Sequence, residues 1–254
     1  GYLQPGLGLK AYLRRLNLHP HEIEVQDFVA KLYPKRYSGS GFLYHSRIAT
    51  DMLRGARFKD GRTSDKILDV GCGTGLVSQL FPNFDIVGID ISDGMLASNP
   101  HKWVKAPAEA IPFPDDTFDY VVCRSLLHHL EKPEEGLREM YRVLKKGGTF
   151  VCWDPNQGFL NTLFRKLFQS TDRFSHLHKS FKDRELFGML EDSKFIITEK
   201  RYIGFLGYPL LGFPDIIDFH IFIGIGRILM KLDELIAKTP LKYLAWSLMV
   251  RATK

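Results

Sequence analysis

Cysteine is scarce in this chain. The 254 residues hold only Cys72, Cys123 and Cys152, with no CxxC pair, and each lies in or beside an apolar run. A disulfide framework is therefore not expected, and a reducing cytosol is the default compartment. Basic blocks are missing too. The formal net charge is +6, but Arg14–Arg15 and Lys145–Lys146 are the densest groupings. Nucleic acid asks for a clustered basic face, so it is not an expected partner, and the cations read as solvated surface. Long uninterrupted apolar runs are absent as well. The most apolar stretch, Phe205 to Met230, is broken by Pro209, Pro214, Asp215, Asp218 and His220. A bilayer span needs roughly twenty apolar residues in a row. No repeat and no low-complexity tract stands out.

What is present is a globular balance of 44% hydrophobic and 25% charged residues, in a length that supports one large domain. Residues 21–33 (HEIEVQDFVAKLY) read as a helix with Ile23, Val25, Phe28, Val29 and Leu32 on its apolar side. Pro34–Gly41 breaks it, and 43–55 reads as a second helix. KILDV (66–70), FDIVGID (84–90), KWVKA (102–106), FDYVVC (118–123) and TFVCWD (149–154) read as strands. SDGMLASN (92–99) opens with a helix-start signal at Ser92 and Asp93. Residues 133–145 form an amphipathic helix, started by Pro133 and stopped by Gly147, with Lys145 and Lys146 at its negative end. Residues 157–169 and 183–195 read as helices, 195–203 as a strand, and 246–254 as a strand closing the sheet. Strands alternating with helices predict an α/β, doubly wound, mostly parallel sheet, with the ligand at the strands' carboxyl ends.

The central motif is ILDVGCGTG (67–75). A strand ends at Val70, and Gly71, Gly73 and Gly75 follow at alternate positions. Glycines let the backbone turn sharply and lie against a ligand without a Cβ between them. Asp69 precedes the turn, and Asp90 ends the next strand, roughly twenty residues on, where an acid reaches ribose hydroxyls. A nicotinamide dinucleotide site is the rival. Its G-x-G-x-x-G spacing puts the third glycine at 76, which is Leu76. Asp69 would also oppose a pyrophosphate, whereas a cationic ligand suits it.

ILDVGCGTG resembles the first motif of class I methyltransferases, and Asp90 in GIDIS resembles that family's ribose-binding acid. AEAIPFPDDTFDYVVC (108–123) is similar to the adenine-holding stretch and fourth strand, and REMYRVLKKGGTFV (138–151) to the helix and strand that follow. The pattern covers about residues 66–154 and is similar to the ubiquinone- and menaquinone-type branch. The resemblance implies a Rossmann-like seven-stranded sheet, S-adenosyl-L-methionine as cofactor and S-adenosyl-L-homocysteine as product. It implies that Asp69, Gly71, Cys72, Gly73 and Thr74 meet the methionine portion. Asp90 then holds the ribose, Ile91 and Met95 lie against adenine, and Ala108, Glu109 and Ala110 line its edge. Arg124, just past the fourth strand, sits beneath the methionine end, where the family usually has a small polar residue. Tyr33 and Tyr37 match an aromatic lid, although Pro34 departs from the lid's acidic neighbour; helix packing explains the tyrosines equally well.

His128 and His129 fall where the family often has a histidine beside the cofactor. They are candidate bases, with packing or loop orientation the favoured reading. A histidine pair alone lacks the ligands of a metal site, and none is expected. One domain is expected over 1–254: an N-terminal helical lid (1–60), the cofactor core (61–154), and 155–254 with an apolar helical insertion at about 206–245. That insertion is rich in Phe, Ile and Leu. It reads either as a cap or dimer surface, or as a pocket or membrane-facing lid for a lipid-like acceptor, with Lys231, Lys238, Lys242 and Arg251 near anionic headgroups. A cytoplasmic enzyme with peripheral membrane contact and a small hydrophobic acceptor is the expectation. A cofactor-binding subunit without catalysis and a macromolecular methyltransferase are the alternatives. The sequence RSLLHH after the fourth strand lacks the Asn/Asp-Pro-Pro-Tyr/Phe of amino-methylating relatives.

Overall fold

The computed structural model describes residues 20–54, 64–158, 162, 180–211 and 225–254. The helices are α1 (Pro20–Ala30), α2 (Tyr33–Arg36), α3 (Gly39–Arg54), α4 (Leu76–Leu80), α5 (Asp93–Ala97), α6 (Pro133–Val143), α7 (Asp183–Asp192), α8 (Gly207–Leu211) and α9 (Gly226–Ile236). The strands are β1 (Lys66–Val70), β2 (Asp85–Asp90), β3 (Trp103–Lys105), β4 (Phe118–Arg124), β5 (Leu144–Pro155), β6 (Ile196–Ile203) and β7 (Ser247–Thr253). They form one seven-stranded sheet in the order β3-β2-β1-β4-β5-β7-β6. The neighbours from β3 to β5 pair parallel, and β7 lies antiparallel between β5 and β6. The doubly wound, mostly parallel sheet is as the sequence implied.

Side chains alternate across the sheet, so two cores follow from strand parity. Leu68, Val70, Val121, Cys123, Phe150 and Cys152 pack on one side with Leu137 and Met140 of α6 and Leu186 and Leu190 of α7. Ile67, Tyr120, Val122, Val151 and Trp153 pack on the other with Tyr44 and Leu53 of α3, Val77 of α4, Leu211 of α8 and Leu229 of α9. Each fully buried large apolar side chain contributes about 1.5–3 kcal/mol. The same parity sends Asp69, Arg124 and Trp153 to the α3 side and Asp154 to the α6 side.

Several boundaries differ from expectation. α1 ends at Ala30, and Pro34 does not break a helix but sits in the first turn of α2. The third helix starts at Gly39, not 43. α6 stops at Val143, so Lys145, Lys146 and Gly147 belong to β5 instead of capping a helix. Leu144 is already extended and pairs with Phe118, which ends the helix four residues before its glycine. Arg124 is the last residue of β4 and not past it. The helix expected at 157–169 lies almost wholly outside the described residues, as does 212–224 of the apolar insertion. Among the described residues no helix is long and apolar enough to cross a membrane.

Candidate active site

The sheet order reverses between β1 and β4, where open α/β sheets bind ligands in a crevice at the strands' carboxyl ends. The turn after β1 is held from below: the Gly71 and Cys72 amides donate to the Ile89 carbonyl at 2.9 and 3.0 Å. Gly71 and Gly73 have φ of 72° and 50°, which side-chain-bearing residues seldom adopt. The nearest atom to a Cβ built on Gly73 is the Met95 sulfur at 3.8 Å, so this stretch of backbone lies open under Met95. Cys72 turns the other way. A Cβ on Gly88 would lie 2.5 Å from its sulfur, so the buried thiol packs on β2 and only its backbone faces the crevice. Thr74 is half-buried beside them.

Asp90 ends β2 and ties the two loops together. One carboxylate oxygen accepts from the Gly73 amide at 2.9 Å and the other from the Ser92 amide at 3.0 Å. Burial nevertheless raises its pKa, with those amides opposing. Asp69 is 2% exposed. Burial pushes its carboxyl up to about 7, against the pull of the Arg124 guanidinium and with the help of Asp90. Arg124 receives a hydrogen bond acceptor from the lid: its Nη2 donates to the Tyr37 hydroxyl at 2.6 Å. Its guanidinium also lies over the Tyr37 and Trp153 rings, 5.5 and 5.8 Å from their centres. Tyr33 meets Tyr37 edge to face at 5.0 Å and packs against Val25, Val29 and Met95. Both tyrosines therefore pack between the N-terminal helices and the candidate site.

On the far side of the crevice, Ile91 is half-buried after β2 and Met95 is buried in α5. Ala108 is buried; Glu109 and Ala110 are half-buried. The Glu109 Oε1 is buried without a hydrogen-bond partner, and burial pushes that carboxyl up to about 7, with Glu135 and Glu131 adding to it. The segment is anchored by Arg142, which donates to the carbonyls of Ile111 and Phe113 at 2.9 and 2.8 Å.

His128 and His129 occupy a single turn after β4, with their rings 4.0 Å apart. His128 is buried, and its Nδ1 lies 2.5 Å from Asp154, whose carboxylate also accepts from the Leu127 and His128 amides. This favours loop orientation over proton transfer for His128. His129 is half-buried, with Nδ1 3.4 Å from the Gln26 side chain of α1. Cys123, Cys152 and Asp154 bring ligand atoms within 4.8 Å of one another, but the Asp154 carboxylate already accepts from the Leu127 and His128 amides, the His128 ring and the Cys152 thiol.

Three residues that hold the site were not found from sequence. Asn99 donates to the Gly73 carbonyl at 3.0 Å, and a Cβ on Gly75 would meet its Oδ1 at 2.4 Å. Asp27 of α1 accepts from the Ser92 hydroxyl at 2.5 Å and the Gly94 amide at 2.9 Å. Asp154 anchors the histidine turn. The one available signal was Asp154 itself, an acid at the carboxyl end of a strand.

A glycine turn flanked by two acids, Asp69 buried and Asp90 half-buried, at the carboxyl edge of a sheet whose last strand is reversed, is the class I methyltransferase arrangement. The comparisons agree. The methyltransferase domain family (Methyltransf_11) matches residues 68–152. A demethylmenaquinone methyltransferase from a Geobacillus species is 31% identical over 209 residues, covering 69% of this chain and 88% of that protein. The ubiquinone/menaquinone biosynthesis C-methyltransferase UbiE of Geobacter sulfurreducens is 42% identical over 102 residues, 34% of this chain and 40% of that one. A solved methyltransferase from Thermotoga maritima superposes with a TM-score of 0.60 at 20% identity, covering 91% of this chain and 99% of its own. The [4+2]-cyclase SpnF, at TM-score 0.57 and 19% identity over 82% of this chain and 81% of that one, shows that the fold alone does not fix a reaction. The chain belongs to the class I S-adenosylmethionine-dependent methyltransferases of the ubiquinone/menaquinone type. It is thus an enzyme that takes S-adenosyl-L-methionine, and the reading as a non-catalytic subunit is not favoured. The residues fit that group: an orphaned buried carboxylate oxygen on Glu109 suits the adenine amine, and the open backbone at Gly73 leaves it room.

Proposed function

We propose that the chain methylates a ring carbon of a hydrophobic, quinone-type acceptor in its reduced, hydroxyl-bearing form. The observation that carries this is the 209-residue match to a demethylmenaquinone methyltransferase, supported by the similarity to a ubiquinone/menaquinone C-methyltransferase. When bound, the cofactor supplies a methyl on positively charged sulfur, and its carbon–sulfur bond breaks as the acceptor's bond to that carbon forms. The rest falls to the chain's own residues. Gly71, Cys72, Gly73 and Thr74 offer backbone to the methionine portion. Asp69 balances its ammonium, and Arg124 its carboxylate. Asp90 keeps free lone pairs for the ribose hydroxyls, because each oxygen accepts one amide and can accept more. Glu109 takes the adenine amine between Ala108 and Ala110, with Ile91 and Met95 against the ring. Tyr33 and Tyr37 close the lid, which excludes water and holds the acceptor in line. His129 is the candidate for receiving the proton the ring loses; His128 acts through Asp154 to hold the turn.

The N-terminal segment serves as lid, 61–154 as cofactor core, and the helices after β6 as a cap on the acceptor side, all in one domain. The enzyme works in the cytoplasm at the membrane surface where such an acceptor resides. The test is incubation with labelled S-adenosylmethionine and a short-tailed demethylmenaquinol, read by mass spectrometry. A singly C-methylated product is expected. Intact cofactor binding by calorimetry without transfer to this acceptor would remove the quinone assignment while leaving the methyltransferase.

A further inference from the structure

α9 has an exposed apolar face besides the one that packs on the core. It buries Gly226, Leu229 and Asp233, yet Ile225, Ile228, Leu232 and Leu235 are 41%, 57%, 41% and 59% exposed. At about 100° per residue these four project within a sector of about 80°. Leu241 and Tyr243, in the turn that follows, are also more than half exposed. Exposed leucines on a monomer are normally scattered singly, and a stripe of this kind marks a surface for an apolar partner. Arg227 and Lys231 project beside the stripe, in an adjoining sector of about 40°, and Lys238 is exposed just past the helix end. None of the three has an acidic partner among the described residues.

Beyond those cations a cavity of about 450 Å3 lies between α3, α9 and the end of β6. Lys238 and Lys242 line it, as does buried Tyr44, whose hydroxyl has no hydrogen-bond partner. Its acids are already engaged: Asp51 and Glu234 flank Arg47 at 3.1 and 4.0 Å, and Asp233 accepts from the Leu206 and Gly207 amides. The lining therefore offers positive charge and a hydroxyl donor to an anion. The strand β6 runs parallel to β5, because both oppose β7, so this cavity at Ile203 and Gly204 shares the sheet edge on which the crevice opens.

We propose that this face docks the enzyme on an anionic phospholipid surface, with the α9 stripe entering the acyl boundary and a phosphate headgroup taken by the lysine-lined cavity. An apolar stripe edged by cations is the composition that binds such surfaces. The docking rests on the lipid-linked acceptor reading only for its purpose; the contact itself is independent of methyl transfer.

The experiment is co-sedimentation of the full chain, without cofactor, with vesicles of phosphatidylcholine alone and of an equimolar mix with phosphatidylglycerol. Binding to the mixed vesicles and little to the neutral ones is expected, weakening as salt rises. Leu232→Glu with Leu235→Glu, and separately Lys231→Glu with Lys238→Glu, should each weaken it by about tenfold or more. All four side chains are surface-exposed, and cofactor binding by calorimetry confirms that each variant is folded. Equal binding to both vesicles, undiminished binding by both variants, or no binding by the unaltered chain overturns the proposal. So does a concentration-dependent dimer that Leu232→Glu dissociates in the absence of vesicle binding. Vesicle binding with no transfer to the quinol counts against the acceptor alone.

Discussion

Asp69 concentrates the electrostatic argument at the scale of one residue. Its carboxyl is buried and titrates at about 7, so the apo protein holds it on the edge of neutrality. A raised folded pKa means that its contribution to apo stability is fully present below the unfolded value, near 4, and is lost as pH rises through about 7. Cofactor binding should run the other way. A cationic ammonium favours the ionised carboxylate, so affinity is greatest above about 7 and falls as pH drops through it. Calorimetry across neutrality reads this slope directly. Asp69→Asn should flatten most of it and weaken binding by about 1.5–3 kcal/mol on the alkaline side, as a charged hydrogen-bond partner is lost. Glu109 and Asp154, both raised to about 7 by burial, share any slope that remains. An unaltered chain whose affinity ignores pH would remove Asp69 from this role.

At the scale of elements, the N-terminal helices are held by side chains that sequence spacing could not reveal. Asp27 on α1 reaches across to Ser92 and Gly94 at the start of α5, 65 and 67 residues away. Asp27→Ala should cost about 1–3 kcal/mol of stability, seen as a lower unfolding midpoint. It should also loosen the wall formed by Met95, so cofactor affinity falls with it. A variant that unfolds earlier yet binds as tightly would make this contact purely structural. Elements written in local pattern were legible: β1, β2 and β4 as apolar runs, the glycine turn after β1, and Ser92 as the cap of α5, whose hydroxyl accepts the Met95 amide. The end of α6 was not, because pairing of Leu144 with Phe118 overrides the glycine signal at 147. The site followed the same division. Asp69, Gly71, Gly73 and Asp90 were legible from spacing on one βαβ unit. Asn99, Asp27 and Asp154 act on backbone brought to them by the fold, and a polar residue in a loop carries no local mark of its partner.

Over the whole molecule, the candidate site falls where the sheet order turns back on itself between β1 and β4. Tyr37 on Arg124, Asp27 on α5 and Gln26 beside His129 join the N-terminal helices to three separate parts of the core. Helices joined in this way should unfold with the sheet and not before it. Calorimetry should then show one transition for lid and core together. S-adenosylmethionine at about a hundredfold over its dissociation constant should add about 2.7 kcal/mol, which is roughly 5–11 °C for a domain of this size. If the proposed site is right, hydrogen exchange should slow in α1, α2 and the turn at Leu127–His129 as well as in the glycine loop. A separate early transition for the N-terminal helices, or slowed exchange confined to residues after β1, would show that the lid is not part of the binding unit.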